Sequence, residues 1–133
     1  MKVLLPFLLS MVFVLIATTA HAESPSKKLN CLEVTTQTEM NECAAERFKV
    51  ADDELNRLYK EKLATLEADR ESFRDMQRAW VVFRDKACLY ESGPVEGGSM
   101  WALEHFNCME YHTKKRIDDI KMYLSCTQNG CPN

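Results

Sequence analysis

The sequence predicts an all-α protein, an antiparallel three-helix bundle stapled by disulfides, and three observations carry that prediction. Apolar residues recur at helical spacing in three long segments, six cysteines are spread along the 133-residue chain, and no useful length alternates apolar and polar residues with period two. The clearest element is Gln77 to Cys88, QRAWVVFRDKAC. On a helix its Trp80, Phe83 and Ala87, with Met76 just before, share one face, which is read as core. Arg84 lies at the edge of that face, within reach of a partner.

Residues 1–22 read as a cleaved signal peptide. Lys2 gives the positive start, Val3 to Ala17 the apolar run, and Ala20-His21-Ala22 the small-x-small cleavage site. The run is short and interrupted by Pro6, so cleavage is expected and no membrane anchor is expected to remain. Glu23, not a cysteine, would become the new N-terminus, which disfavours a lipoprotein. Cleavage leaves 111 residues, enough for one small core. It removes one lysine and no acid, so the net charge moves from −3 to −4. A mildly acidic chain with bases scattered among acids offers no basic stripe for nucleic acid, and it suits a basic protein partner.

Residues 23–36 are polar, contain Pro25 and are expected to form a flexible leader. Thr36 followed three residues later by Glu39 has the form of a capping box, so a helix should start at Gln37. Met40, Ala44, Phe48, Ala51, Leu55, Leu58, Leu63 and Leu66 then give an amphipathic helix of roughly 30 residues, about 45 Å long. Register is lost around Glu67 to Glu71, and Ala68 to Arg70 is the expected break. Phe73, Met76, Trp80, Phe83, Ala87 and Tyr90 mark the second helix. Gly93, Pro94, Gly97 and Gly98 end it, and Ser99 is expected to cap the third, whose stripe runs from Leu103 to Leu124. The helical domain is therefore 37–124, followed by a tail, 125–133, closed by a disulfide.

All six cysteines follow the signal, in a compartment expected to be oxidising, and their spacing is not that of a zinc site. They are expected in three disulfides, with 15 pairings open to any six cysteines. Folding three helices back and forth gathers Cys31, Cys43, Cys88 and Cys108 at one end and leaves Cys126 with Cys131 at the other. Three pairings of the first four remain, of which Cys31–Cys43 with Cys88–Cys108 is favoured because it clamps the Gly-rich loop at its base.

No catalytic, metal or cofactor constellation emerges. His105 and His112 flank Cys108, but a bridged cysteine is no ligand. Asp52, Asp53 and Glu54 are consecutive and point in different directions on a helix, as a solvated face does. Ser99 has no visible base partner, so no hydrolase triad and no enzyme is expected. Arg78, Arg84, Asp85 and Arg116 read as braces between helices. The loop of residues 93–99 has two readings, a connector or an element whose clamped base lets it enter a partner's cleft with little entropy left to lose.

Several spaced residues carry a resemblance: Thr38 to Asn41 and Cys43; Ala51, Asp52, Glu54, Leu55, Asn56 and Tyr59; Gln77, Arg78, Trp80, Phe83, Arg84, Asp85 and Cys88; Glu96 to Ser99; and Cys108, Thr113 and Arg116. The pattern, from Cys31 to about Leu124, resembles the lysozyme inhibitor LprI N-terminal domain family. The resemblance implies a periplasmic or secreted, disulfide-bonded helical domain whose partner is a protein, in the family's named member a lysozyme. Cys126 and Cys131 are additions to the family pattern, and the lipoprotein cysteine is lacking. A basic lysozyme has two catalytic carboxylates in its cleft. Glu96, Gly97, Gly98 and Ser99 are then the expected partner-binding residues, with the Ser99 hydroxyl donating to a carboxylate and Glu96 meeting a basic residue on the rim. The alternative is an envelope binding or assembly module with no lysozyme target.

Overall fold

The computed structural model describes residues 30–127 together with 130 and 131. The expected signal peptide and the first half of the leader, 23–29, lie outside the described residues. Three α-helices follow one another: α1, Gln37–Thr65; α2, Arg70–Ser92; and α3, Trp101–Ser125, with a short 3-10 turn at Gly93–Val95. No strand occurs among the described residues, and none of their helices is long and apolar enough to cross a membrane.

The capping box at the start of α1 is present. Glu39 N–H donates to Thr36 Oγ1 at 3.2 Å, and Thr36 N–H donates to Glu39 Oε2 at 3.1 Å, satisfying two otherwise orphaned amides. Just before it, Leu32 N–H donates to Asn30 Oδ1 and Cys31 is bridged to Cys43, so residues 30–36 are tied to α1. At the other end α1 stops without glycine or proline. Arg70 folds back instead, its Nη1 donating to the carbonyls of Leu63 at 2.8 Å and Leu66 at 3.3 Å, which occupies acceptors that the helix end leaves free.

Consecutive helices run in opposite directions, which makes α1 and α3 parallel. Asn41 meets Ser99, Phe48 stacks on Phe106 at 6.0 Å, and Arg47 reaches Asn107 and Glu110 further along. This parallel pair makes the most extensive helix contact, and α2 packs mainly on α3. The core joins Ala51, Leu55, Leu58 and Leu66 with Phe73, Ile117 and Ile120. Tyr59 of α1 stacks on Phe73 of α2 at 5.3 Å, bringing α2 onto the same core.

The stripes expected for α1 and α3 face the interior, buried at Ala44, Ala51, Leu55, Leu58, Leu66, Met109, Thr113, Ile117 and Ile120 and half-buried elsewhere, with Lys62 and Arg116 buried beside them. By contrast, α2 is rotated from the expected face. Its buried positions are Phe73, Gln77, Arg84, Cys88 and Ser92. Trp80 and Met76 pack at the core's edge, whereas Phe83 is 57% exposed and Tyr90 lies in solvent, so neither is core. The cause is polar. Arg84 and Gln77 find partners on the neighbouring helices and take interior positions that an apolar count assigns to Phe83.

Three disulfides form as favoured: Cys31–Cys43, Cys88–Cys108 and Cys126–Cys131. No described cysteine is free, the state of a protein in an oxidising, extracytoplasmic setting.

Candidate functional site

Arg84, expected to brace helices, does so from inside. It is 7% exposed; its Nη1 donates to Asp52 Oδ1 of α1 at 2.9 Å and to Thr113 Oγ1 of α3 at 3.3 Å. The guanidinium also lies over the rings of Phe48 and Trp80. Trp80 carries a second cation, since Arg116 lies 5.7 Å from its ring and donates through Nε to Gln77 Oε1 at 3.0 Å. Among the described residues Asp85 reaches no other helix; it accepts from Arg84, its own neighbour. Phe83 meets His112 edge-on at the seam with α3. These residues are architecture, and they hold α2 to both other helices.

The expected acidic run on α1 separates as helical geometry requires. Asp52 pairs with Arg84, Asp53 with Lys49 and Glu54 with Arg57. Glu110 is held by Lys114 and Arg47; burial pushes its carboxyl up, but the bonds from Lys114 and Arg47 outweigh that and hold it below the ordinary carboxylate value. A shallow groove of about 610 Å³ runs between α1 and α3 over Val50, Ala51 and Ile117. Its charged rim includes Glu54 and the Glu110, Arg47 and Lys114 cluster.

Cys88, Cys108 and His112 bring their ligand-type atoms within 4.8 Å of one another, with Glu91 Oε1 3.5 Å from His112 Nε2. The two sulfurs are bonded to each other, so neither is a thiolate and the cluster is not a metal site in this oxidation state. His105, the other histidine of α3, stacks on Trp101 at 4.8 Å.

The loop is built as a rigid knob. Three short turns follow one another, with Glu96 N–H donating to the Gly93 carbonyl, Gly98 N–H to that of Val95 and Trp101 N–H to that of Gly98. Gly97 has φ +76°, a left-handed conformation in which a side chain is strained. A Cβ on Gly98 would meet the Val95 carbonyl oxygen at 3.1 Å. Beneath the loop, Cys88–Cys108 closes the base and the buried Ser92 hydroxyl donates to the Cys88 carbonyl at 2.6 Å. Asn41 Nδ2 donates to the Ser99 carbonyl at 2.9 Å and ties the knob to α1. The predicted Ser99 cap is not formed. Met100 is the capping residue, with helical backbone and no side-chain bond, because the turns run straight into α3 and leave no extended residue before it. Glu96, Gly97, Gly98 and Ser99 are all exposed.

The loop lies beside the start of α1, and together they form a charge asymmetry that the linear pattern hides. Residues 30–46 contain Glu33, Glu39, Glu42 and Glu46, and residues 87–113 contain Glu91, Glu96, Glu104 and Glu110, with no lysine or arginine in either stretch. The fold brings the two stretches together at the loop end, as the Asn41–Ser99 contact shows, and Glu110 at the far side of the second is ion-paired with Arg47 and Lys114. The signal is present as two windows without lysine or arginine, but only topology makes them one surface. Every described lysine and arginine lies in residues 47–86 or 114–121.

A model of the lysozyme inhibitor LprI family matches residues 30–120, which takes in the capping box, the loop, the Arg84 and Arg116 braces and two of the three disulfides. An uncharacterized protein of Rhizobium meliloti (strain 1021) is 27% identical over 129 residues, covering 86% of this chain and 93% of its own length. No solved structure matches. With the family pattern spanning most of the chain and the same residues serving as its braces and bridges, the chain belongs to the lysozyme inhibitor LprI family.

Proposed function

We propose that this protein inhibits a basic lysozyme by docking its acidic loop end against the enzyme, with the loop of residues 93–99 at the cleft. The observation that carries the reading is the charge asymmetry: eight glutamates and no lysine or arginine in the two stretches gathered at one end of the bundle, with Glu110 held by Arg47 and Lys114 from outside the stretches. Such a pole attracts a cationic protein, orients it during encounter and speeds association at low salt. Family membership supplies the class of target. The knob adds preorganisation, since its turns, its bridge and the Asn41 bond have already ordered the backbone that would enter a cleft. Within the contact, the Ser99 hydroxyl donates to a carboxylate of the enzyme and Glu96 pairs with a base on its rim.

The test is residual hydrolysis by several lysozyme types titrated with the purified mature protein. Inhibition that weakens as salt rises is expected. Unchanged hydrolysis at micromolar excess across the panel rejects the reading. Full potency after replacement of Glu96 to Ser99 rejects the loop as the inserted element.

A further inference from the structure

The Cys88–Cys108 bridge has two further donor groups set around it. Cys88 and Glu91 are three residues apart on α2, and Cys108 and His112 are four apart on α3, so each helix turns one pair toward the other helix. Glu91 Oε2 lies 3.3 Å from Cys108 Sγ and its Oε1 3.5 Å from His112 Nε2, while the two sulfurs and a His112 ring nitrogen fall within 4.8 Å of one another. In a tetrahedral zinc site, bonds of about 2.3 Å to sulfur and about 2.0 to 2.2 Å to nitrogen or oxygen set the donor atoms roughly 3.3 to 3.8 Å apart. The contacts around Glu91 already have that spacing. The two sulfurs, bonded to each other, do not.

We propose that Cys88, Glu91, Cys108 and His112 become a zinc site when the bridge is reduced, so that a metal ion takes the place of the covalent staple between α2 and α3. A dithiol reductant supplies the two electrons. Its thiolate attacks the sulfur of Cys108, which is half-buried where Cys88 is fully buried; the Cys88–Cys108 bond breaks and Cys88 leaves as a thiolate. The reductant's second thiol then resolves the mixed disulfide, leaving Cys108 as a thiolate and the reductant oxidised. Zn2+ takes the two thiolates, the neutral imidazole and the carboxylate, and the two protons given up by the dithiol pass to solvent. The chain holds the same pair of thiols each time it is made, before the bridge closes. Donor chemistry chooses the ion, since thiolate and imidazole suit zinc, whereas Mg2+ and Ca2+ take oxygen ligands. The Glu91 side chain is 53% exposed, so its carboxylate is free to swing from two contacts to one bond. The helices are also joined beside the site without the bridge, by Arg84 of α2 donating to Thr113 Oγ1 of α3. Among the described residues neither of the other two cysteine pairs gathers a histidine or an acid in this way.

The experiment reduces the mature protein with a water-soluble phosphine and titrates it without oxygen, first with Co2+, a coloured stand-in for zinc, and then with Zn2+. Oxidised wild type, reduced wild type, and reduced His112→Ala and Glu91→Gln are compared, with helix content followed by far-UV circular dichroism. Reduced wild type alone is expected to show thiolate-to-cobalt absorption and tetrahedral cobalt bands at one ion per chain, both removed by Zn2+. His112→Ala should weaken binding about a hundredfold or more and Glu91→Gln about tenfold, while both variants keep the wild-type helix content in the oxidised form. The site is overturned if reduced wild type shows no such bands at millimolar Co2+, or if the oxidised protein binds as tightly. Bands that His112→Ala leaves unchanged overturn it too, since the ion then sits on the other freed thiols. So does a reduced chain that loses its helices and does not regain them when Zn2+ is added.

Discussion

Replacing Arg84 by alanine should be among the most damaging single changes in the bundle, because its guanidinium touches all three helices. The two carboxylates it holds, Asp52 and Asp85, have side chains 34% and 49% exposed, so water can replace most of what they lose, at about 0.5 kcal/mol each. Thr113 is fully buried, and losing one hydroxyl partner there costs about 1 kcal/mol. The ring contacts, 5.3 Å to Phe48 and 5.2 Å to Trp80, contribute about 1 kcal/mol between them. The cavity left by the buried stem adds about 1 to 2 kcal/mol. The expected total is about 4 to 5 kcal/mol, a large share of the stability of a small domain. Arg84→Met keeps most of the stem and should cost roughly half as much. Urea unfolding followed by far-UV circular dichroism, with the disulfides intact, measures both. A loss below about 1 kcal/mol for Arg84→Ala, the level of a surface ion pair, would refute the reasoning.

Arg116 Nη2 is buried and has no hydrogen-bond partner among the described residues, so this second cation is imperfectly accommodated. The paired change Gln77→Leu with Arg116→Met should therefore be less costly in urea than the sum of the single changes, by about 1 kcal/mol or more, and simple additivity would count against the pairing. Removing Cys88–Cys108, which spans 20 residues, should cost about 3 kcal/mol, against about 2 for Cys126–Cys131, which spans 5; thermal midpoints of the two double-alanine variants would show the order. Glu110 has a folded-state pKa below its unfolded one, so its stabilisation is complete above the unfolded value and is lost as pH falls through the folded value. Glu110→Gln should accordingly flatten the decline of urea midpoints below about pH 4, and identical acid limbs in the two proteins would exclude the effect. Gly97→Ala places a Cβ at φ +76°, where its surroundings are open, so a backbone penalty of about 1 kcal/mol is expected in the same assay.

Local chemistry is legible in the chain itself. Thr36 and Glu39 announce the first turn of α1, and the Gly-Pro and Gly-Gly pairs of the loop announce the end of α2. Taking the helices to alternate in direction isolates Cys126 with Cys131 and leaves three pairings of the other four cysteines, of which the favoured one is the one formed. The buried face of α2 is not legible in the same way, because a hydropathy pattern treats Gln77 and Arg84 as surface residues. Their burial depends on Asp52, Thr113 and Arg116, which are 29 to 39 positions away and become neighbours only in the folded bundle. The break between α1 and α2 shows no glycine or proline for a similar reason, since the termination is supplied by the Arg70 side chain. The acidic pole has the same origin, two windows without lysine or arginine that the parallel packing of α1 and α3 brings together.

The three bridges join Cys31 to Cys43, Cys88 to Cys108 and Cys126 to Cys131, so the cysteines pair in chain order, first with second, third with fourth and fifth with sixth. A polypeptide that emerges N-terminus first and is oxidised as it emerges presents each pair in turn, before the next pair has arrived. An oxidant acting in that order produces the native set directly, with no wrong pair for an isomerase to undo. Cysteines released together by reduction and unfolding lose that ordering and must select among all the alternatives.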